Sequence, residues 1–453
     1  MHKGIPIVAA ALTMVGCASF APSQSPLPSQ PLRSRAALTG AGHYIKHVVL
    51  IVQENRSFDN LFAGFPGADA PTHGKIGSQS IALAPRSLAD GAIIENEWRD
   101  AIAAWDHGKM DRFDEELAYP PSTTVPYSYV PRSESLPLWT IAEQWVLADR
   151  MFPTQFGPSF TAHLSLISSN TEIDNGKLDE VDYPTSLPWN CDAAPGTTTF
   201  TLTQQRVVEG NGPFPCFSGI RTIADPLDAK GVSWRYYAPP VSSGLAWDVW
   251  SEFGAIDSIR YGPDWKNVVT PQTQVLEDIA DGALPAMSWV IPDWQDSDHP
   301  GSDSTTGPSW VAGVVNAIGE SKYWDSTAIV ILWDDWGGWY DNVSPPYRDF
   351  RGLGIRTPCL IVSPYDRKSA SGKPGYVSHT QYEYGSIMAF VEDVFGLGRI
   401  GPASMGYTDG RAPSMLDVFD FTQRPRAFKA IPAPYPPSHF LHERPSFKPP
   451  DDH

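Results

Sequence analysis

Apolar residues along this chain fall into short continuous runs that alternate with longer, helix-like patterns. Five runs have the length and the β-branched or aromatic content of strands: residues 47–55, 232–239, 286–293, 327–335 and 357–365. Four segments have helical spacing: residues 136–151, 160–170, 307–321 and 384–396. Because the strand runs do not alternate between polar and apolar residues, we expect strands covered on both faces. The pattern predicts an α/β fold in which helices sandwich a mostly parallel central sheet.

Long segments rich in proline, glycine and tryptophan interrupt this alternation, roughly at residues 66–125 and 170–285. We interpret these segments as long loop insertions around the sheet. We place one main domain at residues 43–423. The segment 424–453 carries many prolines and no helical spacing, which predicts an extended strap or a tail.

The N-terminus has the pattern of a signal peptide. Lys3 precedes an apolar run that is too short to span a bilayer, and Gly16-Cys17 resembles the end of a bacterial lipobox. We therefore predict a lipoprotein-type signal peptide at residues 1–16, a lipid on Cys17 and a flexible tether at 17–42. The alternative is ordinary secretion with Cys17 lost or unmodified. Either way, the mature protein leaves the cytoplasm, as a periplasmic or cell-surface lipoprotein or as a secreted protein.

The composition limits the classes of molecule that this protein can be expected to bind. The chain of 453 residues is 42% hydrophobic and has a formal net charge of −18, so it is globular and strongly acidic. Such a surface repels nucleic acid and anionic membranes, which leaves the N-terminal lipid as the predicted membrane contact. An anionic substrate would need a strong local cation. The oligomeric state is not readable from the sequence.

Three further cysteines follow Cys17. Cys191 and Cys216 lie in proline- and glycine-rich loop sequence, and an oxidising compartment favours a disulfide between them. Cys359 lies in an apolar run and is interpreted as a small buried residue. Because no C-x-x-C spacing occurs, a thiolate metal site is not expected.

Two of the predicted strands end in pairs of metal-type ligands. Glu54-Asn55 follows the first strand, and Asp334-Asp335 follows the fourth. Adjacent carboxylates repel each other, and a bound cation is the simplest compensation. Either pair alone could sit in a solvated turn or cap a helix. Two pairs after two similar strands favour a site for one divalent ion with hard oxygen ligands.

A serine and a histidine extend this set. Ser159 follows the turn Gly157-Pro158 and stands at the predicted start of a helix, where its ordinary role is to cap the helix. A helix start also stabilises anions, and a metal-bound hydroxyl becomes a nucleophile, so the position suits phosphoryl chemistry. His299 follows another predicted strand, in an acidic loop, and could contact phosphate or protonate a leaving alcohol.

Blocks around these residues resemble the bacterial phosphoesterases that include phosphatidylcholine-type phospholipases C and related acid phosphatases. The blocks are "IKHVVLIVQENRSFDNLFAGFPGAD", "DRMFPTQFGPSFTAHLSLIS", "DHP", "VILWDDWGGWYDNVSPP" and the segment from Gly354 to Gly398, which together span most of residues 45–400. The resemblance implies an alkaline-phosphatase-like core over the main domain.

The resemblance also implies roles for individual residues. Glu54, Asn55, Asp334, Asp335 and Ser159 match the ligands of one divalent metal ion, for which Ca, Mg, Mn, Fe and Zn all stay open. Ser159 matches the nucleophile, which forms a covalent phosphoryl intermediate, and Asn55 also touches the substrate phosphate. His299 matches a phosphate-contacting histidine. His379 also matches a family block; we interpret it first as structural and second as substrate-binding. The implied substrate is a small-molecule or lipid phosphate ester.

This sequence departs from the family pattern in two places. The block "WDHGKMDRF" lacks a histidine where many relatives have one just before it, so a second acid or phosphate contact is absent or differently supplied. The segment "FGPSFTAH" differs from the phospholipase form, which leaves the substrate open. A sulfatase is disfavoured because "PSFTAH" lacks the proline and arginine of the C/S-x-P-x-R motif. The remaining alternative is a non-catalytic lipoprotein that binds a divalent metal ion or a ligand.

Overall fold

A computed structural model describes residues 40–173, 178–242, 247–371 and 375–449. The predicted signal peptide at 1–16, the lipidation site Cys17 and the tether up to residue 39 lie outside the described residues. The first described helix begins at Ala41, which is 1% exposed, slightly before the predicted domain boundary at residue 43.

One nine-stranded sheet forms the centre of the molecule. Its strands in chain order are β1 His47–Gln53, β2 Val146–Phe152, β3 Trp234–Tyr237, β4 Val268–Val269, β5 Met287–Val290, β6 Thr327–Trp333, β7 Thr357–Val362, β8 Tyr376–Ser378 and β9 Tyr382–Glu383. They lie in the order β4-β3-β5-β1-β6-β7-β2-β8, and β9 also pairs with β2. Only β7 runs antiparallel to its neighbours β6 and β2, which confirms the mostly parallel sheet predicted from the apolar runs.

Eleven described α-helices accompany the sheet. They are α1 Ala41–Tyr44, α2 Phe58–Phe62, α3 Trp98–Trp105, α4 Leu136–Gln144, α5 Ser159–Ser168, α6 Ala224–Ala229, α7 Asp257–Arg260, α8 Gln274–Asp281, α9 Gly307–Gly319, α10 Tyr384–Phe395 and α11 Pro437–His442. Three of the four predicted helices correspond to α5, α9 and α10.

The two faces of the sheet bury alternate residues of the same strands. Val48, Leu50 and Val52 of β1 belong to a core that includes side chains of α5 and α10. Val49 and Ile51 belong to the opposite core, with side chains of α4, α8 and α9. This period of two shows helices on both faces, and it explains why β1 reads as a continuous apolar run.

The helix predicted over 136–151 is wrong in its second half. Helix α4 ends at Gln144, and strand β2 begins at Val146. The segment from Val146 to Phe152 is buried at six of its seven positions, because β2 pairs with β7 on one side and with β8 and β9 on the other. Tertiary pairing therefore overrides the helical spacing that continues into this segment.

The insertions and the C-terminus wrap around this core. The second insertion holds the disulfide between Cys191 and Cys216, as predicted, and Cys359 is a buried free thiol. The C-terminal segment is described as far as Pro449, and it contains the short helix α11, which the sequence pattern did not predict. Its Ile431 exchanges hydrogen bonds with Asn316 of α9, and its Phe447 accepts a hydrogen bond from Ser242 beyond the sheet edge. Within the described part of the chain, no helix combines the length and apolar character needed to cross a bilayer.

Candidate active site

The two ligand pairs predicted from the sequence, Glu54-Asn55 and Asp334-Asp335, lie side by side at the carboxyl ends of two central strands of the sheet. Strands β1 and β6 are parallel neighbours, and Gln53 is in register with Trp333. The next residues are therefore Glu54 and Asp334, which are both fully buried. The backbone N–H of Asn55 donates to Asp334 Oδ1 over 2.9 Å, and the N–H of Asp334 donates to the Gln53 carbonyl over 2.9 Å. These bonds extend the sheet by one residue and hold the two pairs together.

A glycine turn lets the two strand ends approach each other. Gly337 has a φ of 60°, and a Cβ at this position would lie 2.2 Å from the carbonyl oxygen of Asn55. Asn55 itself has a φ of 51°, a left-handed conformation that asparagine tolerates better than most residues. The local sequence thus fits the backbone that the site requires.

Ser159 faces these acids from the first turn of helix α5. The residue that caps the helix is Pro158, and Ser159 makes no capping hydrogen bond, so the expectation that Ser159 caps the helix was wrong. Its hydroxyl donates instead to Asp335 Oδ2 over 3.0 Å, with Asn55 Oδ1 at 3.4 Å. The serine is fully buried, and the helix directs its N–H groups towards the same region.

Asn96 orients Asp335 from the first insertion. Its side-chain amide donates to both carboxylate oxygens of Asp335 at 2.9 Å, and the N–H of Gly337 donates to Oδ1 at 2.7 Å. The carboxylate that accepts from Ser159 is therefore held on several sides. Sequence reasoning missed Asn96, because it lies in an insertion, outside the blocks that carry the resemblance.

His163 completes the buried cluster. Its Nε2 lies 3.1 Å from Glu54 Oε1 and 3.8 Å from Asp334 Oδ2. One ligand atom from each of Glu54, His163 and Asp334 can be chosen so that all lie within 4.8 Å of one another. Sequence reasoning missed this residue as well, although its spacing of four from Ser159 places both on one face of helix α5.

The donor set fits a divalent metal ion. Asp334 Oδ2 is buried and has no hydrogen-bond partner among the described residues, which is unfavourable unless a cation or a proton is shared there. Behind the cluster, His163 Nδ1 lies 3.8 Å from Glu252, whose carboxylate accepts a 2.6 Å hydrogen bond from Tyr236. A carboxylate behind an imidazole is the arrangement that fixes a metal-binding histidine. Burial raises the pKa of Glu252, and His163 opposes that shift.

His299 lies in a loop that is attached to the end of β1. The N–H of Glu54 donates to the Ser297 carbonyl, and Arg56 Nε donates to the Asp298 carbonyl over 2.7 Å. The His299 ring is buried; its Nδ1 donates to the Pro300 carbonyl over 2.6 Å, and the ring packs against Trp294. The loop is thus joined to the site, while the role of the ring in phosphate contact or acid catalysis stays a prediction.

His379 lies elsewhere. Its side chain is 60% exposed, and its Nδ1 pairs with Asp149 of β2 over 2.9 Å. Among the described residues, these contacts do not join it to Ser159 or to the acidic pairs. Both interpretations of His379, the structural role and the role in substrate binding, stay predictions.

Comparison with known proteins identifies relatives over most of the chain. The model of the Phosphoesterase family matches residues 45–398. Phospholipase C A of Mycobacterium tuberculosis is 24% identical over 446 residues, which cover 84% of this chain and 78% of the relative. Non-specific phospholipase C6 of Arabidopsis thaliana is 23% identical and covers 84% of this chain and 73% of its own length.

Solved structures show a more distant likeness. A protein in the alkaline phosphatase superfamily from Vibrio parahaemolyticus aligns with a TM-score of 0.35 and 10% identity, covering 78% of this chain and 67% of that one. The PsFucS1 sulfatase from Pseudoalteromonas sp. aligns with a TM-score of 0.39 and 10% identity, covering 86% and 75%.

Proposed function

Because this chain belongs to the Phosphoesterase family, we propose that it hydrolyses phosphate esters with Ser159 as the nucleophile of a covalent mechanism. The observation that carries this proposal is the 3.0 Å hydrogen bond from Ser159 Oγ to Asp335 Oδ2 at the start of a ten-residue helix. A buried serine whose proton already points at a carboxylate can lose that proton as it attacks.

The first step transfers the phosphoryl group to the serine. Ser159 Oγ forms a bond to phosphorus, its proton passes to Asp335, and the bond from phosphorus to the ester oxygen breaks. The departing alcohol takes up a proton, for which His299 is the predicted donor. Asn55 and the N–H groups at the start of α5 stabilise the charge on the phosphoryl oxygens.

The second step regenerates the enzyme. Water attacks the phosphorus of phosphoserine and gives one proton to His299, the bond to Ser159 Oγ breaks, and the serine recovers its proton from Asp335. The product is inorganic phosphate from a monoester or a phosphomonoester from a diester. Atoms and charge balance without any oxidant or further substrate.

Glu54, His163 and Asp334 would hold a divalent metal ion, with Asn55, Asp335 and Ser159 beside it. When bound, such an ion lowers the pKa of a serine hydroxyl and neutralises phosphate charge. One imidazole among carboxylates suits Mn, Fe or Zn better than Ca or Mg. The ion also supplies the local cation that an anionic ester needs at a protein with a net charge of −18.

The substrate is a small-molecule or lipid phosphate ester, as the phospholipase C relatives suggest. Export from the cytoplasm, with a lipid on Cys17 as the membrane anchor, stays part of this proposal. Mass spectrometry of the mature N-terminus tests the anchor: an acylated Cys17 supports it, and a mature chain that lacks Cys17 or carries it unmodified removes it.

The Ser159→Ala variant tests the mechanism. We expect it to abolish hydrolysis of p-nitrophenyl phosphate and of a phosphodiester analogue while the metal content, measured by elemental analysis, is unchanged. The matched control is Ser165→Ala on the same helix, because the Ser165 hydroxyl only bonds the Thr161 carbonyl. Unchanged turnover in Ser159→Ala would show that another nucleophile acts. A wild-type protein that binds metal but hydrolyses neither ester would favour the non-catalytic alternative.

A further inference from the structure

A cavity of about 610 Å³ with a mixed apolar and polar wall lies between the first insertion and the second insertion. Its wall includes Glu97 and Trp98 at the start of helix α3, Asp182, Tyr183 and Phe200 from two strands of the second insertion, and Arg206 from the following turn. Its volume is in the range of cavities that bind small molecules.

Two walls of this cavity are connected to the candidate active site, one through a residue that bonds Asp335 and the other through a residue close to Ser159 in the sequence. Asn96, which bonds Asp335, directly precedes Glu97. On the other side, Asp182 Oδ1 lies 3.3 Å from the position that a Cβ on Gly157 would occupy, two residues before Ser159. The Trp98 ring packs edge-on against Phe156, with 5.8 Å between ring centroids. The cavity is therefore next to the place where an ester bond would be broken.

Two side chains in the wall, Asp182 and Arg206, have buried polar atoms that lack hydrogen-bond partners among the described residues. Asp182 is 1% exposed, and neither of its carboxyl oxygens has a hydrogen-bond partner among the described residues. Arg206 Nε and Nη2 are also buried without a partner in the described chain. Because buried polar groups are nearly always hydrogen-bonded, two such groups on one cavity indicate that a ligand satisfies them.

Two aromatic rings hold the guanidinium group of Arg206 in an orientation that suits ligand binding. Its guanidinium lies over Trp98, 5.5 Å from the ring centroid, and over Tyr347 at 4.9 Å. Cation–π contacts hold the plane of the group, and the two unpartnered nitrogens lie on the same edge of it. Such an edge donates two parallel hydrogen bonds to a pair of oxygen acceptors.

From these observations, and on the premise of the proposed function, we propose that the cavity binds the alcohol part of the ester and that this alcohol is a hydroxylated ring, as in a sugar or cyclitol phosphate. Neighbouring hydroxyls present paired oxygens to the Arg206 edge and hydrogen-bond partners to Asp182. The stacked rings of Tyr183 and Phe200, 4.7 Å apart, offer an aromatic surface to the apolar face of the ring.

Other alcohols match this cavity less well. A fatty acyl chain would leave Asp182 and Arg206 buried without hydrogen bonds. A quaternary ammonium head group would meet the positive charge of Arg206. Burial, together with the charge of Glu97, raises the pKa of Asp182 to about 8, so at neutral pH this carboxyl donates a hydrogen bond rather than neutralising a cation.

Steady-state kinetics with glucose 6-phosphate, methyl phosphate and phosphocholine test the proposal. We expect the wild type to have at least a tenfold higher kcat/KM for glucose 6-phosphate than for methyl phosphate. We expect Arg206→Gln and Asp182→Ala to reduce this ratio at least tenfold, mainly through KM. The matched control is Arg99→Gln, because the Arg99 side chain is 76% exposed at the same cavity and should leave the ratio unchanged.

The outcomes separate this inference from the proposed function. A wild-type ratio near one, or a ratio that both variants leave intact, overturns the cavity assignment even if esters are hydrolysed. A preference for phosphocholine that Arg206→Gln strengthens overturns it in favour of an ammonium group. If no ester is hydrolysed, calorimetry still decides: binding of glucose 6-phosphate that is lost in Arg206→Gln supports the cavity while the proposed function fails, and no binding overturns both.

Discussion

Two buried acidic clusters lie within a few residues of each other, and they balance their charge in different ways. The site cluster contains Glu54, Asp334 and Asp335. The inner cluster contains Asp59 and Asp341, which follow in the same two sequence blocks. All five carboxyl side chains are at most 1% exposed, so each cluster needs a compensating charge or proton.

The inner cluster contains its own cation. Arg356, fully buried, bonds Asp341 at 3.0 Å and Asp59 at 3.1 Å, donates to the Asp149 carbonyl, and lies 4.2 Å from the Phe58 ring centroid. Burial raises the pKa of both aspartates, and Arg356 opposes the shift. At the site cluster, the described basic partner of Glu54 and Asp334 is one imidazole, His163. The inner cluster is therefore compensated within the fold, whereas the site cluster contains a Glu-His-Asp group that could hold a metal ion.

The largest effect is expected for a variant that breaks the inner cluster. Arg356→Met should lower the free energy of unfolding by about 3–5 kcal/mol, because it leaves two buried carboxylates without their cation. Urea unfolding measures the loss. Arg150→Met is the control, since Arg150 is 37% exposed and its 3.2 Å pair with Asp69 should contribute at most about 1 kcal/mol. Equal losses in the two variants would show that Arg356 has no special structural role.

Removal of the metal should have the next largest effect, and it addresses the site cluster. Dialysis against a chelator should abolish ester hydrolysis and lower stability by about 2.7 kcal/mol relative to protein with free metal at 100 times its Kd. Thermal unfolding with and without added metal measures the shift. Asp334→Asn should bind less metal and show a smaller shift. A wild type whose stability and activity do not respond to the chelator would contradict the comparison between the clusters.

The strand ends could be predicted from the sequence because each acidic pair directly follows an apolar run. Parallel neighbours place such ends side by side, so Glu54 and Asp334 meet without any knowledge of the loops. The mostly parallel sheet was predictable for the same reason. Strand β2 was not, because its pairing with β7, β8 and β9 depends on contacts distant in sequence.

Of the remaining site residues, only some could have been predicted from the sequence. His163 could have been recognised from its helical spacing to Ser159, since both positions lie on one face of α5. Asn96 could not, because only the folding of an insertion brings it within 2.9 Å of Asp335. The sequence placed Ser159 at the start of a helix but left capping open as its ordinary role, because it does not show that Pro158 takes the cap position.

A smaller effect is expected when the support of the site cluster is weakened. Asn96→Ala should lower kcat about 10–100-fold, the usual effect of removing a group that orients a metal-site residue. The physical reason is that Asp335 loses two hydrogen bonds and can turn away from Ser159. The kinetic comparison uses Asn170→Ala, whose side chain bonds the Met405 carbonyl, as a control that should keep kcat. An unchanged kcat in Asn96→Ala would remove Asn96 from the site.

The smallest effect is expected for KM. It concerns a buried acid that is accommodated neither by an arginine nor by a metal ion, but by keeping its own proton. Asp182 has a pKa raised to about 8, so the folded protein holds it neutral well above its ordinary value of 3.8. Its charged and titratable neighbours around the cavity are Glu97, Arg99, Tyr183 and Arg206. As the pH rises through 8, Asp182 ionises beside Glu97 and can no longer donate a hydrogen bond to a substrate hydroxyl.

We therefore expect KM for glucose 6-phosphate to rise several-fold between pH 7 and pH 9 in the wild type. Asp182→Asn should keep a KM close to that of the wild type at pH 7, and this KM should stay flat over the range, because an amide donates a hydrogen bond and does not titrate. The phosphate of the substrate ionises near pH 6 and does not account for a rise above pH 7. The same rise in both proteins would place the titrating group elsewhere, and Asp182 would then be a buried acid that the fold tolerates without use. A rise in the wild type alone would identify Asp182 as the titrating group, and it would show that a buried acid which keeps its proton contributes to substrate binding.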